Sequence, residues 1–573
     1  VSTDGSTATL LAALLKLRAE LSGAALGLEI PGAQDGRDAR QALVTQLDDY
    51  VLPRLVQQDA PLLAVVGGST GAGKSTLVNS LIGRAVTESG VLRPTTRSAV
   101  LVHHPDDAEW FQPDRILPDL ARTASQTNDA RSLTLVAAHT VPRGLAILDA
   151  PDVDSVEESN RRLAGELLAA ADLWLFVTSA ARYADQVPWD YLREAADRSA
   201  AVAIVLDRTS TESMGEVRGH LARMLTARGL KDSPLFTVLE SSVDSEGLLP
   251  PSAVAPILSW LHDLAGDPEV RAAVVAQTLD GAVRKIVFAA FDVADLVAEQ
   301  GAVTASLVED VDRAYTGAEA AFDKSVSDGT LMHGELAARW RDFVGGDMGR
   351  GVDDRMGRIR DRIVDSVRGR RTRVAEVQQA LATNVELLLL EQAEAGAHAA
   401  YQAWEENQAG AALLRGGDRE LERATRTVRA RAERVSQDWV EACTEIVRST
   451  GSERKTSARF LALGTHGAAI TLAVAVLNEL ATREDAHHSG GAAARDLLAE
   501  TFGDSSEHLL QTAKEDLLRR AGTVLVGERQ RFYDALSRTA ASPDAAASIR
   551  SAARSAEDAR HRDLIPDDWD NLT

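Results

Sequence analysis

The sequence predicts an α/β domain with a mostly parallel sheet and helices on both faces, followed by a long all-helical bundle or stalk. Three observations carry this reading. From 61 to about 265, short apolar runs alternate with helix-length segments, the pattern of strand–helix–strand units. From 266 to 545 the pattern is almost wholly helical, and no proline separates Pro268 from Pro543. A glycine-rich loop at 68–76 stands between an apolar strand and a helix in the first region.

The 573 residues exceed one core, and two to four domains are expected. Apolar residues make up 45% and aromatics only 4%, so Ala, Leu and Val fill the interior, which favours helices. A net charge of −23 argues against nucleic acid as the main partner and against wholesale adsorption to anionic lipid. Cys443 is the single cysteine, which excludes a disulfide framework and points to a reducing compartment. Val1-Ser2-Thr3-Asp4 lacks a basic lead-in, and Lys16, Arg18 and Glu20 interrupt the apolar residues near it. No signal peptide is read there, and a cytoplasmic location is expected.

Taken in order, residues 1–60 form a helical segment. Helices are expected over 7–24 and 38–57, separated at Ile30-Pro31-Gly32, with Leu43, Leu47, Val51 and Leu55 as one apolar stripe. The pair is read as a hairpin capping the next domain. Within 61–265 the strand runs are 62–66, 99–103, 133–138, 145–148, 173–177, 202–206 and 235–239. Ligands of such sheets sit beyond the carboxyl ends of the strands. In the helical region, 266–545, Val364, Val367, Val374 and Leu381 follow heptad-like spacing, and Leu387 to Leu390 are expected to be buried on all sides. A polar, mobile tail is expected over 546–573.

The loop reads Gly68-Ser69-Thr70-Gly71-Ala72-Gly73-Lys74-Ser75-Thr76, after Leu62-Leu63-Ala64-Val65-Val66 and before Leu77-Val78-Asn79-Ser80-Leu81-Ile82. This is the phosphate-loop pattern in the strand–loop–helix setting that gives it meaning. Glycines let backbone N–H groups curl around a phosphate, and the helix N-terminus adds partial positive charge. Lys74 is placed to bridge the β- and γ-phosphates, and the Ser75 hydroxyl to ligate Mg²⁺. A GTPase on such a loop needs a switch threonine. Thr96, before Arg97, is the candidate, with Thr95 the alternative. Asp149, closing the strand of Leu145-Ala146-Ile147-Leu148-Asp149-Ala150-Pro151-Asp152, is the carboxylate that would hold Mg²⁺ through water.

Loop, threonines and Asp-x-Pro in this order resemble translation-factor-class GTPases, and in particular the bacterial dynamin-like large GTPases of actinobacteria. The stretch from Thr178 to Asp185, with Val187-Pro188-Trp189, and the helical half add to the resemblance. It implies GTP hydrolysis with Mg²⁺, coupled to a helical stalk in membrane remodelling or tethering. It also implies self-association or a homologous partner GTPase. The sequence departs from the family at several positions. Asp152 stands where Asp-x-x-Gly has glycine, and a carboxylate there repels the γ-phosphate unless it points away. Slow basal hydrolysis, or a switch that forms only on assembly, is therefore expected. Where the base-reading motif belongs stands Asp207-Arg208-Thr209-Ser210. Arg208 can stack on the base, but Ser210 has no carboxylate for guanine, so guanine follows from the resemblance and ATP stays open. Ser241 and Ser242, after Glu240, take the place of the short motif backing the base. Thr70 matches the family's catalytic polar position, and Gly71 replaces the serine that binds an assisting cation. Arg93 and Arg97 are candidates for an arginine acting in trans.

Residues 460–477 carry no formal charge over 18 positions, the lower limit for a spanning helix. They are read either as a membrane tip, near 458–480, or as a buried bundle helix, with His466 a satisfied core residue. With a tip, the protein sits peripherally at the inner face of the cell membrane. His487-His488 is read as a solvated loop. The arginines from Arg350 to Arg373 are read first as ion-paired helix surface, then as a lipid-headgroup patch. The alternative to the enzyme is a nucleotide-gated scaffold with negligible hydrolysis and no membrane insertion.

Overall fold

The structure, a computed structural model, describes residues 3–57, 59–87, 98–113, 115–117, 120–125, 127, 129, 131–155, 157–197, 201–347, 359–416, 419–450, 458–480 and 491–564. The strands β1 (Leu62–Gly68), β2 (Ala99–His103), β3 (Ala121–Thr123), β4 (Ser132–Ala137), β5 (Leu145–Asp149), β6 (Leu173–Ser179), β7 (Ala201–Thr209) and β8 (Leu235–Leu239) make one sheet in the order β3-β4-β2-β5-β1-β6-β7-β8. Neighbouring strands are parallel except β2 with β5. Each strand run read from the sequence is present. β3 was not read, because three half-exposed residues at a sheet edge carry no hydropathy signal.

All seven residues of β1, and all seven of β6, are buried. Strands covered on both faces by helices read as continuous apolar runs, which is why these were legible. The helices are α1 (Thr3–Gly23), α2 (Ala33–Gln46), α3 (Leu52–Val56), α4 (Lys74–Ile82), α5 (Glu158–Ala169), α6 (Gln186–Asp197), α7 (Met214–Ala227), α8 (Pro251–Gly266), α9 (Pro268–Ser327), α10 (Gly334–Asp347), α11 (Ile359–Glu406), α12 (Gln408–Gly416), α13 (Val428–Thr450), α14 (Ala458–Val476), α15 (Gly491–Phe502), α16 (Ser506–Ser537) and α17 (Ala545–Asp563). A π-helical turn, Leu47–Val51, leads into α3.

The chain divides into two compact units. The first comprises Val1–Ala24, Gln34–Ala298 and Ser542–Thr573. It holds the sheet, and its α1 is tied to the segment before α3 by Arg18 and Asp48 at 2.8 Å. The expected boundary at 265 is corrected: the unit continues to Ala298, halfway along α9. The polar tail is corrected too. Residues 545–563 are a helix whose Ile549, Ala552, Ala553, Ala556 and Ala559 are wholly buried. Small residues at helical spacing among many charges made this stripe look polar. Arg560 pairs with Asp280, Arg550 with Asp295 at 2.6 Å, and the Leu10 amide donates to Asp563 at 3.2 Å, so α17 is fastened to α9 and α1.

The second unit comprises Ala25–Ala33 and Glu299–Ala541. Its short N-terminal piece belongs there because Gln300, 1% exposed, bonds the Leu28 amide (3.1 Å) and carbonyl (2.9 Å). Helices α11, α13, α14 and α16 enclose one core with Trp404 and Trp439 wholly buried, each indole N–H donating to a carbonyl, of Leu307 (3.0 Å) and Ala513 (2.8 Å). Residues 468–477 are no more than 2% exposed, so this part of the apolar run packs in the core of the unit, as the buried-helix alternative expects. Among the described residues, no helix is long and apolar enough to cross a membrane. His466, beyond the kink at Gly464 (φ 69°), is exposed and not a core residue. Leu387 is 51% exposed while Leu389 is buried, so α11 keeps one polar side and the tetraleucine is not buried all round. Arg350 to Arg358 and His487-His488 lie outside the described residues.

Candidate nucleotide site

β1 ends in the loop, and α4 starts at Lys74 with Gly73 at its N-cap in a left-handed conformation (φ 101°). Parallel register sets the neighbours of this turn. Val66 pairs with Asp149 at the end of β5, and Ser179 at the end of β6 pairs with Asp207 on β7. The carboxyl ends of the strands thus converge on the helix N-terminus, the geometry in which α/β sheets bind ligands.

A Cβ on Gly73 would lie 2.1 Å from Asp207 Oδ2, so only glycine lets the loop rest against β7. Gly71 also has positive φ (75°), a conformation that glycine adopts without strain. Lys74 is 5% exposed, and its Nζ donates to the carbonyls of Gly68 (2.9 Å) and Ser69 (3.0 Å) and to Asp152 Oδ1. The Thr70 amide and hydroxyl both donate to Asp154 Oδ1, at 2.5 and 2.7 Å, and Arg182 holds Asp154 Oδ2 at 3.2 Å.

Ser75 Oγ donates to Asp149 Oδ2 at 2.8 Å, and so does Thr87 Oγ1, at 2.8 Å. Asp149 is wholly buried, and among the described residues its Oδ1 has no hydrogen-bond partner. Burial pushes its carboxyl up from the ordinary value, partly offset by the two hydroxyls and Lys74. A buried carboxylate oxygen without a donor beside a serine hydroxyl suits a hard divalent cation, so Ser75 and Asp149 fit Mg²⁺. Ser69 Oγ, likewise buried, also lacks a partner among the described residues.

Thr87 was not singled out in the sequence. Asn79 positions it: Oδ1 accepts from the amides of Val86 (2.8 Å) and Thr87 (3.0 Å), and Nδ2 donates to the Thr87 carbonyl (2.9 Å). The available signal was an asparagine amid the apolar residues of α4, a poor helix former that persists where it has partners. Thr96 and Thr95, with Arg93 and Arg97, lie outside the described residues.

On β7, beside the loop, burial raises the Asp207 carboxyl, and Glu240 adds to the effect. Asp207 Oδ1 accepts its neighbour's amide, at Arg208, over 2.8 Å, and Arg208 itself sits at φ 53° beside a strand irregularity. Ser210 Oγ meets Ser213 Oγ at 2.9 Å and so serves the entry to α7. The Glu240 amide donates to the Thr209 carbonyl at 3.0 Å, which brings the exposed Ser241 and Ser242 beside the end of β7. The loop, Asp149 and Asp207 are therefore gathered at one edge, with the serines of the last strand's exit nearby.

The first unit is thus an α/β domain whose glycine-rich loop lies between β1 and α4, and the second is a large helical unit. No protein-family model matches the chain. Among curated proteins, 124 residues, 22% of the chain, are 28% identical to part of "Probable transmembrane GTPase FZO-like, chloroplastic" of Arabidopsis thaliana, of which they span 12%. Two solved structures of an oligomerised bacterial dynamin pair, described as a mechanism for long-range sensing and tethering of membranes, are similar over nearly the whole chain. One has a TM-score of 0.38 at 10% identity, covering 97% of this chain and 96% of the other. The second has 0.37 at 10%, covering 96% and 95%. The sequence likeness is thus confined to a 124-residue stretch of this chain and to part of a protein described as a probable GTPase.

Proposed function

We propose that the chain is a dynamin-like GTPase of low basal activity, stimulated by assembly, whose helical unit acts in membrane remodelling or tethering. The observation that carries the nucleotide part is the convergence of Lys74, Ser75 and Asp149 on the N-terminus of α4. Loop amides and Lys74 would hold the phosphates, Ser75 and Asp149 the Mg²⁺, and Thr96 the switch position; Thr70 is the polar residue nearest the chemistry. Bound Mg²⁺ neutralises phosphate charge. Asp207 and Arg208, with Ser241 and Ser242, would border the base. Guanine is proposed on the resemblance, and adenine is the competing base. Self-association or a homologous partner GTPase supplies the stimulation. The membrane role is peripheral, because 468–477 is spent on the core.

A second reading, a nucleotide-gated scaffold with negligible hydrolysis, is favoured by one observation, the pairing of Lys74 with Asp152. Steady-state turnover with and without liposomes, across protein concentration, separates the two. The enzyme reading expects turnover per chain to rise several-fold with concentration or liposomes and to vanish in Lys74→Ala. A rate indistinguishable from Lys74→Ala under every condition favours the scaffold.

A further inference from the structure

Two carboxylates of one short segment occupy donors of the phosphate loop. Asp152 pairs with Lys74 Nζ, and Asp154 takes both the amide and the hydroxyl of Thr70. Between them Val153 is wholly buried, and its amide reaches the Gly68 carbonyl at 3.4 Å. A turn explains the arrangement: the Ser155 amide closes it on the Asp152 carbonyl at 3.2 Å, with Val153 buried at its centre and the carboxylates on either side of Val153 both bonded to the loop. The segment is pinned at both ends. The Ala150 amide donates to Val66 (3.2 Å), and Arg182 grips the far oxygen of Asp154 (3.2 Å). Lys74 and Asp152 are 5% and 19% exposed, so their attraction is poorly screened by solvent.

Resting on the nucleotide reading above, we infer that Asp152 is a specificity-determining residue that competes with the terminal phosphate of a nucleoside triphosphate for Lys74. A diphosphate presents Lys74 with its β-phosphate alone, and the ammonium can keep Asp152 as its other anionic partner. A triphosphate brings a second anion to the same ammonium and must turn Asp152 away. Because Val153 links the two carboxylates, turning Asp152 also loosens Asp154 and releases Thr70. The chain therefore favours diphosphate at rest, and the triphosphate state is the one in which Thr70 is free.

The test uses the full chain with Mg²⁺, measuring affinity for GDP and for a non-hydrolysable GTP analogue, with the adenine pair alongside. Wild type is expected to bind diphosphate more tightly than triphosphate. Asp152→Asn, and Asp152→Ser as a second variant, are expected to tighten triphosphate binding by about tenfold or more, near 1.4 kcal/mol, with diphosphate affinity changing far less. Melting provides a second readout: without nucleotide the Asn variant melts lower, since Lys74 loses its anion, and the triphosphate analogue raises its melting temperature more than that of wild type. Equal change in both affinities, or none in either, overturns the assignment of Asp152 while leaving the nucleotide reading intact. Failure of wild type to bind any of the four nucleotides overturns the proposed function and this inference with it.

Discussion

Asp149 and Glu528 are both wholly buried carboxylates, one at the tip of β5 and the other inside the helical unit, yet their surroundings differ in kind. Both oxygens of Glu528 are engaged. Oε1 receives the Thr425 hydroxyl (2.7 Å) and Arg431, and Oε2 receives the Thr425 amide (2.8 Å) and Arg531 Nη1 (2.9 Å). Asp149 has two hydroxyls on one oxygen, none on the other among the described residues, and a carboxyl pushed upward by burial. A buried charge with its partners built in holds structure together; one left short of partners is made to receive something. In Glu528 the charge fastens the connection between α12 and α13 to α16.

The largest effect expected from this contrast is on Glu528. Glu528→Ala takes the shared carboxylate from Arg431 and Arg531 and should cost about 3 kcal/mol, read by chemical denaturation, the low end for a buried pair because Arg431 is partly exposed and Arg531 keeps the Arg423 and Glu420 carbonyls. A loss below about 1 kcal/mol would remove the distinction. Asp149→Asn should act in the opposite sense: without metal the melting temperature holds or rises, since a buried charge is removed, while Mg²⁺-dependent nucleotide affinity falls on the order of 10–100-fold. Marked destabilisation of the metal-free protein would make Asp149 another structural anchor.

The smallest effect concerns a carboxylate nearer the surface. Arg560 holds the Glu557 carboxyl below its ordinary 4.5, against the opposing cost of burial, with His561 assisting. A depressed carboxyl stabilises fully above 4.5 and loses that contribution as pH falls through its folded value. Glu557→Gln should therefore lower stability at neutral pH by about 0.5 kcal/mol, as a partly exposed pair does, and flatten the fall in melting temperature below pH 4.5. A steeper acid response in the variant would contradict the sign.

What the sequence made legible follows the same division. The sheet was readable because β1, β5 and β6 are covered on both faces and so are continuously apolar. The loop was readable because its chemistry fixes residue types at fixed spacing. Thr87 and Asp154 were not, since a hydroxyl and a carboxylate on connecting segments become site residues only through what the fold sets opposite them. Asp152 was visible as a departure, but its partner Lys74 was not. Residues 460–477 show the limit on the helical side. An uncharged apolar run has one composition for a bilayer and for a bundle core, and only the packing of α11, α13, α15 and α16 around α14 separates them. The alanine stripe of α17 failed for the converse reason: small residues bury well without raising hydropathy.

The decisive measurement for nucleotide binding at Lys74 is calorimetric titration of the full chain with GTP and with ATP, in Mg²⁺ and in its absence, with Lys74→Ala as the paired variant. Mg²⁺-dependent binding of one nucleoside triphosphate in preference to the other is expected, guanine over adenine, weakened at least about 100-fold, or 2.7 kcal/mol, by Lys74→Ala. Equal heats for wild type and Lys74→Ala would contradict it.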